Sequence, residues 1–329
     1  MDGGDMNHDE DTRNSRSKSW NSIGSQDAIV SIDEDTTEQS HFINGHPNND
    51  SPTIIEPERC KTVISFLYMC VGTYFLTFVL TVVHDRMPDT EKHPPLPDIV
   101  LDNVPLTPWA GEISEGILTT LGVMFFIIVF LHQHRFIVLR RFFCITATLY
   151  LLRSATIFVT SLPETGQHID CSADFTGSVW SRLWKSFQIF IKLGMASTGG
   201  RTCGAYLYSG HAMVMTNLTF FITEYSPRSF WMLHLIIWMM SVTGMFCILA
   251  AHGHYTVDVV IAFYVTTRMF IYYHSLSSNR VTRNRYKRWQ LWFPLIRFFE
   301  NNMDGVLPNE YGWPFPRPLR ISRLFQNNS

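Results

Sequence analysis

Charge is scarce in this sequence and close to balanced, with 26 Lys and Arg against 28 Asp and Glu and 16% charged residues in all. No basic excess marks the chain as a nucleic-acid binder. Cysteine is sparse too. The six (Cys60, Cys70, Cys144, Cys171, Cys203 and Cys247) show neither CxxC nor metal-ligand spacing, so the pattern calls for no metal and no cofactor. Cys171 and Cys203 fall in one predicted lumenal stretch, where a disulfide is allowed. The N-terminus lacks the basic and apolar regions of a cleavable signal peptide, so the first span is expected to act as an internal signal. No internal repeat is evident.

What the sequence has is an uneven distribution of apolar residues. Residues 1–60 are almost wholly Asp, Asn, Ser, Thr, Glu and Gly, too polar to offset ordering entropy, and read as a disordered tail. Residues 61–275 hold six apolar runs of bilayer-spanning length, at about 63–83, 113–131, 142–161, 205–223, 230–251 and 255–273. The stretch 162–202 reads as a long mixed loop. Residues 276–329 form a basic tail, with Arg280, Arg283, Arg285, Lys287 and Arg288 expected to lie against anionic cytosolic lipid. The fold class is all-α: a polytopic membrane protein with six transmembrane helices. Basic residues flank spans two and three (Arg135, Arg140, Arg141) and follow span six, which puts both termini in the cytosol.

The sixth span opens with AHGHYTVDVV and carries His254, Asp258 and Arg268 within an otherwise apolar helix. Ionisable residues at membrane depth are functional candidates. His254 and Asp258, at i and i+4, share a helix face about 6 Å apart, so the carboxylate can hold one imidazole nitrogen and leave the other free. The plain alternative is a polar pair that satisfies itself between two helices. A second histidine stands upstream in Ser209-Gly210-His211. Two crossings separate the histidines, so both return to the non-cytosolic face, His211 about 9 Å below its helix start. Arg153 on span three lies at a similar depth, about 12 Å, whereas Arg268 lies about 21 Å deeper than His254. Two imidazoles, a carboxylate and a cation without metal spacing suit phosphoryl transfer through a phosphohistidine, with the arginine holding phosphate oxygens.

Ser209-Gly210-His211 followed by His254-xxx-Asp258 resembles the lipid phosphate phosphatase superfamily, although Cys247-Ile248 stand about where Ser-Arg usually does. The chain resembles the sphingomyelin synthase family more closely. The matching stretches are CGxYLYSGH (203–211), EYSPR (224–228), HYTVDVVIAFYVTTR (254–268), RRFFC (140–144), LYLLR (149–153), PPLPD (94–98) and YGWPFPRP (311–318). The resemblance implies a lipid phosphate phosphatase-like helical core that transfers phosphocholine from phosphatidylcholine to the primary hydroxyl of ceramide, giving sphingomyelin and diacylglycerol. By motif position His254 is the nucleophile, Asp258 its orienting partner, and His211 the acid that becomes the base. Arg153 is a phosphate ligand by depth and charge. Tyr206, Tyr208, Tyr255 and Glu115 are candidates for the choline, which needs aromatic faces or a carboxylate; aromatics near a membrane interface also serve as belt residues. The expected setting is the Golgi or plasma membrane, with the site on the lumenal or extracellular face; the motifs leave a homo-oligomer open.

The chain also departs from the family pattern. Ala205 and Gly253 stand where acids are usual, and Ala212 replaces a threonine. No sterile-alpha-motif domain precedes span one, unlike the ceramide phosphoethanolamine branch, and no cysteine follows Cys247 to carry a C-terminal acyl anchor. These departures keep three alternatives open: a phosphoethanolamine donor, hydrolysis in the manner of a phospholipase C, and a non-catalytic lipid-binding relative. His132, His134, His234 and His274 read as packed or interfacial side chains, and the Met and Phe residues of span five as lipid-facing or packing surface.

Overall fold

A computed structural model describes residues 58–84, 86, 93–163, 165, 179–191, 206–285, 293–303, 305 and 307–312. The polar tail up to residue 57, Cys171, Cys203, Ala205 and most of the YGWPFPRP stretch lie outside the described residues. Among those described there is no strand, only an isolated bridge between His132 and Tyr311. The helices are α1 (Arg59–His84), α2 (Trp109–Leu131), α3 (Arg135–Val159), α4 (Val179–Ile191), α5 (Gly210–Glu224), α6 (Trp231–Ala250), α7 (Thr256–Ser278), α8 (Arg280–Arg285) and α9 (Ile296–Glu300).

Among the described residues, four helices are long and apolar enough to cross a bilayer: α1, α2, α3 and α6. The chain is a multi-pass membrane protein. The other two expected spans differ for physical reasons. At 15 residues, α5 is about 22 Å long, short of the hydrocarbon thickness. Although 23 residues long, α7 is diluted by Asp258, Arg268 and six serines and threonines. Two further features depart from expectation. Helix α3 starts seven residues early and takes in Arg135, Arg140 and Arg141, and the stretch read as a mixed loop contains α4.

Helix α1 packs against α3 on one side and α4 on another, α2 against α6 and α5, and α5 against α7. Leu76, Val79, Leu80 and Val83 of α1 close on Ile157 and Tyr150 of α3. At Gly72 an added Cβ would sit 3.3 Å from the Ala147 carbonyl, so the crossing of α1 and α3 depends on a small residue, as membrane helix contacts often do. Outward faces are apolar, with Phe66, Leu67 and Val71 on α1, Phe126 and Phe130 on α2, and Met239, Val242 and Phe246 on α6 all exposed. Within a bilayer these faces meet lipid.

The two ends of the bundle are polar. One holds the histidine pair. At the other, Glu300 of α9 is fully buried between Arg140 and Arg141. Arg141 grips it through two nitrogens at 3.3 and 2.9 Å, while Tyr273 and Ser277 of α7 donate at 3.2 and 2.8 Å. The segment after α7 therefore folds back onto the bundle in its described part. His274 stacks on Phe270 and bonds Tyr225, a packed histidine as expected.

Candidate active site

The site is built on the parallel N-termini of α5 and α7. Asp258, in the first turn of α7, is wholly buried and fully bonded. Its Oδ1 accepts from the Leu207 amide at 2.8 Å, and its Oδ2 from the Tyr255 amide at 3.1 Å. The same Oδ2 lies 3.3 Å from His254 Nδ1. The Asp258 carbonyl accepts from the Ser209 amide, which ties the start of α5 directly to the first turn of α7. One carboxylate thus orients His254 and joins the two helix starts. With Nδ1 held, Nε2 of His254 is the free nitrogen.

His211 stands in the first turn of α5, within electrostatic reach of both His254 and Arg153. Arg153 comes up from α3 and lies against the backbone of Gly210: a Cβ built there would be 1.9 Å from Nη1 and 2.8 Å from Cζ. The guanidinium's position therefore requires glycine in the SGH triplet, since a Cβ there would push this flexible side chain aside. Among the described residues Arg153 Nε is buried without a hydrogen-bond partner, and no carboxylate lies within ion-pair distance of Arg153. A guanidinium beside two helix N-termini adds positive potential there, with the buried Asp258 carboxylate within electrostatic reach as its counter-charge. We expect Gly210→Ala to displace the guanidinium and to lower any phosphoryl transfer about 100-fold, the scale of an ångström-sized misplacement. Thermal unfolding of the purified variant should stay close to the parent, and a rate equal to the parent's would contradict the requirement.

The chain bends sharply at Leu207, whose φ of 76° lies in the left-handed region. Leucine in that region is strained, a condition that clusters at functional sites. The bend sends Tyr206 toward His254, ring centroids 6.0 Å apart, and toward Tyr255 at 5.8 Å. Tyr208 is buried and sits within electrostatic reach of Arg153. The Tyr255 hydroxyl donates to the Pro163 carbonyl and accepts from the Leu96 amide, so this ring braces loops. Of the expected site residues, His211, His254, Asp258, Arg153, Tyr206, Tyr208 and Tyr255 thus gather at one end. Glu115 is on α2 at the same end, but no hydrogen bond or ion pair among the described residues joins its carboxylate to them.

Two positions carried no role in the sequence. Asp98, the last residue of the PPLPD stretch, accepts from the Thr256 amide at 2.7 Å and its hydroxyl at 2.6 Å, capping α7 from a distant loop. Burial alone would raise its carboxyl, but these bonds and those from the Val100 and Leu101 amides hold it below 3.8. That stabilisation is present above 3.8 and is lost as pH falls below it. Asp98→Ala should cost about 1 kcal/mol, the usual worth of a helix cap, read as a lowered Tm. The other is His252, at φ 50°, whose Nε2 pairs with the Val104 carbonyl at 3.0 Å and fixes the turn before His254. The signal for Asp98 was an acid closing a proline run, visible in sequence but without its partner 158 residues away.

The PAP2 superfamily C-terminal model matches residues 202–275, the stretch that carries both histidines and Asp258. The chain belongs to the sphingomyelin synthase family. It is 44% identical over 300 residues to human sphingomyelin synthase-related protein 1, covering 91% of this chain and 72% of that one. It is likewise 44% identical over 265 residues to the Caenorhabditis elegans sphingomyelin synthase-related protein 1, covering 80% of this chain and 54% of the relative. Human phosphatidylcholine:ceramide cholinephosphotransferase 1 is 41% identical over 264 residues, 79% of this chain and 64% of that one.

Proposed function

We propose that the protein transfers phosphocholine from phosphatidylcholine to ceramide through a phosphohistidine on His254. One observation carries this reading: a single buried carboxylate holds His254 Nδ1 and locks together the two helix starts that bear both histidines, beside an arginine that makes no ion pair among the described residues. In the first half-reaction His254 Nε2 attacks phosphorus, and the bond from phosphorus to the glycerol oxygen breaks. His211 gives its proton to that oxygen, and diacylglycerol leaves. In the second, the ceramide hydroxyl gives its proton to His211 and attacks phosphorus, the P–N bond breaks, and sphingomyelin leaves. Arg153 and the helix N-termini balance charge on the phosphoryl oxygens throughout. Tyr206, Tyr208, Tyr255 and Glu115 are the candidates for the choline end.

The topology that goes with this reading has six spans, with α5 and α7 sheltered among the other four, the histidines on the lumenal or extracellular side, and both termini cytosolic. Golgi and plasma membrane both satisfy it. A second reading keeps the mechanism but changes the donor to phosphoethanolamine or the acceptor to water. It is favoured by Gly253, which leaves the turn before His254 without the acid usual there. A Cβ at Gly253 would meet only Ile248 at 3.6 and 3.8 Å, so Gly253→Asp should fold normally.

The test uses membranes from cells that make no sphingomyelin, expressing the parent, His254→Ala or Gly253→Asp, with fluorescent ceramide and choline or ethanolamine phospholipids. Labelled sphingomyelin from the parent and none from His254→Ala is the expected result. Labelled ceramide phosphoethanolamine would change the headgroup, and an increase in sphingomyelin with Gly253→Asp would make that position a headgroup determinant. No labelled product from well-inserted parent protein would overturn the transferase reading.

A further inference from the structure

Helix α4 belongs neither to the expected spans nor to the histidine site. Its 13 residues make it about 20 Å long, too short to cross the hydrocarbon core. The chain enters and leaves this region at the same end of the bundle. Before it, the Pro163 carbonyl binds Tyr255 and the Thr165 hydroxyl donates to the His252 carbonyl. After it, Tyr206 lies on His254. Yet α4 packs on α1, a bilayer-crossing helix, below that end. Ser186, fully buried, pairs with Thr81 at 3.3 Å, and Phe190 meets the ring of Tyr74 edge-on at 6.2 Å. Thr81 and Tyr74 stand three and ten residues from the end of α1 at His84, about 5 and 15 Å down its axis.

The face turned away from α1 is apolar and unusually bare. Trp180, Trp184, Phe187 and Ile191, spaced i, i+4, i+7 and i+11, are 77, 57, 41 and 63% exposed. Arg182 and Lys185 fall on a third side of the same helix, roughly 130–200° from the middle of the apolar stripe at 100° per residue. A helix with Trp and Phe on one side and basic residues on another settles in a membrane interface, its apolar face about 5–10 Å into the lipid. The depth set by Thr81 and Tyr74 spans that range.

We propose that α4 is an amphipathic helix sunk obliquely into the leaflet at the histidine end, with its Trp180–Trp184–Phe187–Ile191 stripe seated in lipid hydrocarbon. Lipid is the occupant because the helix is fixed to a membrane span at hydrocarbon depth. The inference depends on α1 crossing the bilayer and is independent of the phosphotransfer chemistry, so either can fail alone.

The test compares tryptophan fluorescence of the full chain in phosphatidylcholine vesicles with that of a Trp180→Phe/Trp184→Phe double variant. Both substitutions are on an exposed face, so the fold is retained. The difference between the two signals isolates these rings from the other tryptophans. That signal should be largely lost in vesicles whose lipids are brominated high on the acyl chains, and should resist aqueous iodide. Quenching by iodide alone would place α4 in water and overturn the proposal. Resistance to both quenchers would mean that protein covers the stripe, a second copy of the chain included, and would overturn it equally.

Discussion

His254→Ala is expected to lower phosphocholine transfer by about 10⁴-fold or more, the scale seen when an acid–base or nucleophilic group that acts as part of a unit is removed. The expectation rests on position. His254 ends the turn before α7, its Nδ1 is engaged by a carboxylate with no exposed surface, and its remaining nitrogen is the one left to react. Alanine removes the reacting atom, His211 serves the leaving oxygen in the proposed scheme, and Tyr255 is committed to loop carbonyl and amide groups. The fold should survive, because the amides of Leu207 and Tyr255 still satisfy Asp258. Transfer measured in membranes with matched protein levels checks this, and a loss of less than about tenfold would remove His254 from the chemistry.

The second large effect is on stability and arises at the opposite end. Glu300→Gln keeps the shape of the side chain but, among the described residues, leaves Arg141 buried without its anion and Arg140 with Glu58 alone. Removing one member of a buried ion pair costs about 3–5 kcal/mol, because the remaining charge is stranded. Burial by itself would raise the Glu300 carboxyl, but Arg141 and Arg140 hold it at about 2 against an ordinary 4.5. The stabilisation is therefore complete above 4.5 and is lost as pH falls toward 2. Thermal unfolding of the purified chain in detergent should show a large fall in Tm at neutral pH. The gap between parent and variant should narrow below pH 4.5. An unchanged Tm at neutral pH would mean that the tail segment contributes little to holding the bundle.

The reach of sequence reasoning differed between these two ends. Around the histidines it singled out residues that the fold brings to one end, because the determinants are local. An i, i+4 pair in an apolar helix and a Ser-Gly-His triplet at a helix start each declare themselves within a few residues. It also placed Arg153 level with the histidines, and the guanidinium does lie against Gly210, since position along a bundle follows from counting residues along a helix. The reason for Gly210 was not legible, because it depends on a guanidinium 57 positions earlier pressing against its Cα. Glu300 was hidden for the same kind of reason. In sequence it is one acid in a basic tail, and only the fold puts it between Arg140 and Arg141. Helix α4 was missed because its apolar run is too short and too interrupted by Arg182 and Lys185 to register as a span. Glu115 shares that end of the bundle, but among the described residues no hydrogen bond or ion pair joins its carboxylate to the histidines.

The most direct test of the central claim is to look for the covalent intermediate. Purified chain in vesicles is incubated with phosphatidylcholine labelled in the headgroup, without ceramide, and is then digested and mapped. Label on His254 that is stable in alkali, labile in acid, absent from His254→Ala and released as sphingomyelin when ceramide is added is the result this account predicts. Sphingomyelin formed at the parental rate with no label on His254 at any time, or label carried by His211 instead, would contradict it.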